Sequence, residues 1–309
     1  MTIAPPRPST VDAAELSKIK TFGVIGAGQM GLGIAQVAAQ TGHDVLIVDA
    51  TPELAEKGRA RLTGSLDRLV DKGKLDAKER DAILSRIHAA KDTSALAAAD
   101  IVVEAATENM DLKIKIFQAA DAAMKPGAIL ASNTSSISIT KLAGATKRPE
   151  NVAGMHFMNP VPVMKLCEIV RGVQSSDHTI ATITTLARQM GKTTILSKDI
   201  PGFLVNRMLI PFLNEACFAL QEGVGSPEDL DLAGKLGLNH PMGPLELADL
   251  IGLDTCLFIA EVLHREFGDD KYRPASILRN LVAAGWLGKK TGRGFYVYDD
   301  KGNKLKSAI

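Results

Sequence analysis

The sequence predicts an α/β protein: a doubly wound N-terminal domain over residues 18–200 followed by a smaller all-α domain over residues 201–309. Three observations carry this. Short β-like runs alternate with amphipathic helical runs through the first two-thirds of the chain, the pattern of a mainly parallel sheet. A glycine-rich loop stands directly between the first β run and the first long helical run. After Asp199 the texture turns helical, with a breaker at Ile200-Pro201-Gly202 marking the boundary. A chain of 309 residues has room for two domains of ordinary size.

The elements follow in order. Residues 21–25 form a first strand, 28–41 a helix and 44–48 a second strand. A long charged helix runs from residue 52 to about residue 70, with Pro52 in its first turn, where a missing N–H costs little. Residues 77–86 are helical. An Ala-rich helix precedes the strand 101–104, and a helix at 112–124 precedes the strand 128–131. Strands at 152–156 and 166–170, a helix at 178–190 and a strand at 193–197 complete the first domain. Helical periodicity then covers 203–220, 227–236, 245–266 and 275–284, and no strand is expected until 295–298. Residues 1–17, with three prolines, read as a flexible lead.

Composition narrows the function classes. Hydrophobic residues make up 46% and charged residues 23%, with a net charge of +1, so a globular protein is expected, with no global pull toward nucleic acid or a membrane surface. No stretch reaches the length of a membrane span. The N-terminus lacks the apolar core of a secretory signal, and Asp12 and Glu15 break the acid-poor pattern of a mitochondrial leader. Cys167, Cys217 and Cys256 are far apart in sequence, which fits free thiols in a reducing compartment and a cytoplasmic protein. No cluster has metal-ligand spacing, so no metal is expected.

Residues 21–33 read TFGVIGAGQMGLG. Gly26 permits the tight turn, Gly28 lets the backbone approach a pyrophosphate, and Gly31 lets the helix pack on the strand; Gln29 and Met30 complete the loop. The helix N-terminus offers its N–H groups to the phosphates. Asp49 ends the next strand, where a carboxylate bonds the ribose hydroxyls and repels a 2′-phosphate. This favours NAD over NADP, on a Rossmann-like domain. FAD shares the fingerprint and ranks lower.

Three segments carry candidate chemistry. In LASNTSSI, the strand runs into Ser132, Asn133, Thr134, Ser135 and Ser136, which could bond a substrate oxygen or simply form a capped turn. In GMHFMNPVPVMKLCEIV, Glu168 lies within an otherwise apolar strand, where it needs a partner. His156 is the natural one, either as a general base held by its carboxylate or as half of a structural ion pair. In DIPGFLVNR, Asn206 lies near the start of a helix, facing either a cleft or solvent. His240, in NHPMGP, ranks second among the histidines.

These segments, with VVEAATENMDLKIKIF, GPLELADLIGLD and GKKTGRGFYVYD, resemble the short-chain L-3-hydroxyacyl-CoA dehydrogenase family, in particular its bacterial 3-hydroxybutyryl-CoA branch. The resemblance spans residues 19–299, and the His-Phe-x-Asn-Pro segment with its downstream Glu is highly specific. It implies NAD-dependent oxidation of an L-3-hydroxyacyl-CoA to the 3-ketoacyl-CoA, or the reverse. It implies His156 as general acid/base, Glu168 as its partner, and Ser135 and Asn206 as residues that hold the reacting group. Gly26, Gly28, Gly31 and Asp49 match the NAD fingerprint, and Glu108, Lys113, Asn159 and Lys290 match further cofactor contacts. Ser65 and Lys72 match positions that meet CoA, on a helix where Arg61, Arg68 and Lys74 add positive charge; without the resemblance this would read as a solvated face. A homodimer through the C-terminal domain is also implied.

Two alternatives stay open at this stage. A dehydrogenase of free 3-hydroxy acids shares the architecture but relies on a catalytic Lys, and Lys165 lacks that family's surrounding pattern. A non-catalytic dinucleotide-binding protein would not need the Ser135, His156, Glu168 and Asn206 set.

Overall fold

The computed structural model describes residues 11–309. The chain divides into two compact units, Met1–Ile200 and Pro201–Ile309. Of the lead expected over 1–17, residues 1–10 lie outside the described residues. Residues Ala13–Leu16 form a helical turn, α1, whose Leu16 is buried in the core of the first unit.

The first unit contains β1 (Thr21–Ile25), α2 (Gln29–Gln40), β2 (Asp44–Val48), α3 (Pro52–Asp71), α4 (Ala77–Ser85) and β3 (Ile87–Ala89). It continues with β4 (Ile101–Glu104), α5 (Met110–Ala123), β5 (Ile129–Ser132), α6 (Ile139–Gly144), β6 (Val152–Phe157), β7 (Leu166–Arg171), α7 (Asp177–Gln189) and β8 (Thr193–Lys198). The strands form one 8-stranded sheet in the order β3-β2-β1-β4-β5-β6-β7-β8. The order reverses between β1 and β4, which creates the crevice at which open α/β sheets bind ligands. Strands β4, β5 and β6 are buried throughout. That is why they read as continuous apolar runs rather than as alternating ones.

Two departures from the sequence reading occur here. The Ala-rich segment before β4 is a 3-10 turn over Thr93–Ala98, not an α-helix. Strand β3 was not expected; it is three residues long, at the sheet edge, with His88 exposed, so it carries almost no alternation to read. The sheet is mainly parallel, as expected, with β6 and β7 paired antiparallel.

The second unit contains α8 (Val205–Gln221), α9 (Pro227–Leu232), α10 (Pro244–Ile251), α11 (Leu253–Phe267) and α12 (Ser276–Ala283). It ends in an antiparallel pair, β9 (Tyr296–Tyr298) and β10 (Lys304–Ser307). The unit is helical, as expected, and the strand expected at 295–298 is β9, which pairs with β10 to close the unit in a short ribbon. The single helix expected over 245–266 is two helices, because Gly252 adopts φ +104°, a conformation no helix interior accommodates.

Two buried carboxylates knit the second unit together. Asp231 accepts from the N–H of Leu245 at 2.7 Å and from Tyr296 Oη at 2.7 Å. It thereby caps α10, whose own Gly243 has no side chain to do so. Asp249 accepts from the N–H groups of Phe295 and Tyr296 and from Tyr298 Oη, each at 2.9 Å. A Cβ on Gly294 would lie 2.0 Å from Asp249 Oδ1, so only glycine allows this approach. Burial raises the Asp249 pKa from 3.8 to about 6.

The sign of the linkage is definite. A carboxyl with a raised folded-state pKa binds its proton more tightly in the folded chain, so unfolding releases it. Its contribution is fully present below the ordinary value of 3.8 and is lost as pH rises through about 6. Asp249→Asn is expected to flatten the decline of the urea midpoint across this interval. An unchanged slope in the variant would show that Asp249 does not carry it.

Candidate active site

The antiparallel pairing of β6 and β7 sets His156 directly opposite Glu168. Opposed residues of such a pair project from the same face. His156 Nδ1 lies 3.0 Å from Glu168 Oε2. Glu168 has no exposed surface, and His156 is 7% exposed. A carboxylate so far from water is tolerated when it is hydrogen-bonded. With Nδ1 engaged by the Glu168 carboxylate, Nε2 is the ring nitrogen left for proton exchange.

The polar segment after β5 is both a turn and a presentation device. Thr134 Oγ1 accepts from the N–H of Ile137 at 3.0 Å, closing the turn. Glu108 Oε1 accepts from the Ser135 N–H at 2.7 Å and from Ser135 Oγ at 2.9 Å, while its Oε2 accepts from Thr134 Oγ1 at 2.6 Å. Asn133 Oδ1 accepts from the Phe157 N–H at 2.9 Å, tying the segment to the residue after His156. A residue the sequence reading missed, Asp199, accepts from Ser138 Oγ and from the N–H groups of Ile139 and Thr140 at 2.7–3.0 Å. It anchors the far end of the same segment from 59–61 residues away, a separation that no local signal reveals.

Lys113 is 1% exposed, and its ammonium is paired with buried Glu104, with Ser132 Oγ at 3.4 Å. The pair lies at the ends of β4 and β5 and supports the loops there. Its partner Glu104 also accepts from the Ala106 N–H at 2.8 Å.

The phosphate loop shows three different uses of glycine. Gly26 has φ +105°, and a Cβ there would meet the Ala105 carbonyl oxygen at 2.7 Å. A Cβ on Gly31 would lie 1.8 Å from the Gly26 carbonyl oxygen. At Gly28 a Cβ would meet nothing within 4 Å, so that glycine keeps open a space rather than a packing contact. Gly28 also caps α2 without a side-chain hydrogen bond, whereas Thr51, Asn109 and Ser176 cap α3, α5 and α7 with theirs. Asp49 Oδ2 accepts from the Ala27 N–H at 2.6 Å and Oδ1 from the Ala50 N–H at 2.7 Å. Each oxygen keeps a lone pair for a hydroxyl. The open cradle, the uncapped helix end and this carboxylate fit a dinucleotide.

Gln29 Nε2 donates to Asn159 Oδ1 at 2.9 Å, so two expected cofactor residues meet across the loop. Met30 packs at the core margin. Arg61, read from sequence as part of a free basic face, instead donates to the Ala27 carbonyl at 2.7 Å. Ser65, Arg68 and Lys72 are exposed, and with Arg61 they fall at i, i+4, i+7 and i+11 on one side of α3. Lys74 is exposed beyond its end.

The remaining candidates lie in the second unit. Asn206 is buried in the first turn of α8. Lys290 pairs with Asp254, Nζ to Oδ2 at 2.7 Å. His240 is exposed, its ring 4.9 Å from that of Phe212, and no carboxylate partner orients it as Glu168 orients His156.

The chain is similar to proteins of one family along nearly its whole length. The sequence model for the 3-hydroxyacyl-CoA dehydrogenase NAD binding domain matches residues 21–200, and that for the C-terminal domain of the same family matches residues 202–298. A 3-hydroxybutyryl-CoA dehydrogenase of Bradyrhizobium diazoefficiens is 52% identical over 91% of this chain and 96% of its own. The mitochondrial hydroxyacyl-coenzyme A dehydrogenase of Mus musculus is 44% identical over 91% of each chain. The crystal structure of (S)-3-hydroxybutyryl-CoA dehydrogenase from Ralstonia eutropha superposes with a TM-score of 0.88 at 54% identity, covering 91% of this chain and 100% of that one.

The two loop glycines separate ligand space from packing space. Gly28→Ala is expected to leave the melting temperature nearly unchanged and to weaken NADH binding about tenfold or more, because the methyl enters the phosphate approach. Gly31→Ala is expected to lower the melting temperature itself. Calorimetry and fluorescence titration of both proteins check this; equal melting losses would contradict it.

Proposed function

The chain belongs to the 3-hydroxyacyl-CoA dehydrogenase family, and from that premise we propose how its residues carry out the reaction and on which substrate. The enzyme is an oxidoreductase that catalyses NAD-dependent oxidation of 3-hydroxyacyl-CoA. The His156–Glu168 pair is the observation that carries the reading. His156 Nε2 removes the proton of the C3 hydroxyl, and Glu168 stabilises the imidazolium that results. In the reverse direction the same imidazolium protonates the oxygen at C3. Gly26, Gly28, Gln29, Met30, Gly31 and Asp49 would hold NAD, which would supply the acceptor for the hydride of C3.

Ser135 and Asn206 hold the reacting oxygen, a positioning role. Glu108 acts through the Ser135 hydroxyl it already engages, Lys113 acts from beneath through Glu104, and Asn159 and Lys290 complete the cofactor contacts. Ser65 and Lys72 meet the CoA portion, with Arg68 beside them on the exposed side of α3. The substrate is the short-chain thioester 3-hydroxybutyryl-CoA.

The protein works in the cytoplasm as a homodimer joined through its C-terminal unit. Exposed Met208, Leu232, Leu236, Leu250 and Phe258 in that unit support the dimer. Three buried free cysteines support a reducing compartment. Among the described residues no helix is long and apolar enough to cross a membrane.

The test is reduction of acetoacetyl-CoA followed at the NADH absorbance band, with NADPH and with free acetoacetate in parallel. Fast loss of NADH with the thioester alone is the expected result. Turnover mainly with NADPH would overturn the role of Asp49. Equal turnover of the free acid would overturn the thioester assignment.

A further inference from the structure

The first turn of α8, which carries Asn206, lies between a strained stretch of backbone and a proline. On its N-terminal side Gly202 and Phe203 both adopt positive φ, +76° and +51°. For a fully buried phenylalanine this is an uncommon conformation, and it persists only when its surroundings enforce it. On the C-terminal side Pro211 lies inside α8. Proline has no N–H, so the carbonyl of Arg207, four residues earlier, lacks its helical donor.

Arg207 supplies an outside anchor. Its guanidinium lies over the Phe267 ring at 3.9 Å and over the Tyr272 ring at 4.6 Å. These rings are themselves stacked, with centroids 5.0 Å apart. Arg207 Nη1 is buried and makes no hydrogen bond, so the π faces are what holds that part of the cation. The Arg207 N–H closes the strained turn by donating to the Gly202 carbonyl at 3.1 Å. Seven residues on, Asn214 fixes the same side of the helix to the same segment. It donates to the Arg273 carbonyl at 2.9 Å and accepts from the Ala275 N–H at 2.8 Å. Arg207 and Asn214 thus both tie α8 to the segment 267–275, the first of them directly beside Asn206 in the chain.

We propose that Arg207 is a positioning residue for the reaction: its stack on Phe267 and Tyr272 holds the strained turn that presents Asn206. The proposal rests on the assignment of Asn206 to the reacting group. It goes beyond that assignment in giving a function to an arginine that makes no contact with the reacting atoms.

A double-mutant cycle on kcat for acetoacetyl-CoA reduction tests it, using Asn206→Ala, Arg207→Met and the double variant, with KM and melting temperature recorded. Misplacing an orienting group costs about tenfold to a hundredfold. Arg207→Met is therefore expected to lower kcat over that range with KM for both substrates little changed. In the Asn206→Ala background the same substitution is expected to change kcat by less than about twofold, the tolerance of such cycles. Losses that multiply in the double variant would overturn the proposal and leave the role of Asn206 standing. An Asn206→Ala protein with wild-type kcat would overturn the Asn206 assignment and the proposal with it. If Arg207→Met does not fold, Arg207→Lys keeps the charge but not the flat face, and the same cycle applies.

Discussion

A carboxylate with no exposed surface has to be matched by a hydrogen-bond donor, and Glu168 is matched by His156 across one antiparallel strand pair. Much of the first unit depends on that pairing. Among the described strands it is the one antiparallel pairing of a sheet that is otherwise parallel. A one-residue slip in register would turn Glu168 to the opposite face and leave a charge without a partner. The reversal therefore does chemical work: two side chains twelve residues apart become neighbours without a loop to hold them.

Around this pair the loops are held from below and from the side rather than by their own sequence. Glu108 suspends Ser135, Asn133 ties the same segment to Phe157, and Asp199 anchors its end at α6. Arg61 joins α3 to the phosphate loop through the Ala27 carbonyl. A helix bearing exposed basic residues is thus linked directly to the glycine-rich loop after β1. Rigid support of this kind is what positions reacting groups to within the tolerance catalysis needs. The second unit uses the same device in a different form, with Asp231 and Asp249 gathering backbone N–H groups that glycines bring close.

How much of this the sequence discloses depends on the range of each interaction. The βα alternation, the Gly26–Gly31 loop and the helical second half are local patterns, and they were legible. The His156–Glu168 partnership was legible because an acid on an apolar strand demands an explanation. Three things were not. Gly252 breaks one apparent helix into two through its φ, which periodicity does not encode. Strand β3 is too short to alternate. The partners of Lys113, Arg61 and Asp199 lie 9, 34 and 59–61 residues away, and no pattern local to each residue names them. The arginine on Phe267 and Tyr272 belongs to the same class.

The central claim is that His156, oriented by Glu168, exchanges the proton at the C3 oxygen. The most direct measurement is acetoacetyl-CoA reduction by the His156→Ala protein at saturating NADH, alongside its NADH affinity. A general acid typically contributes about 10²–10⁴-fold, so kcat should fall by that range or more while NADH still binds with its normal affinity. A folded His156→Ala enzyme with near-normal kcat would contradict the account.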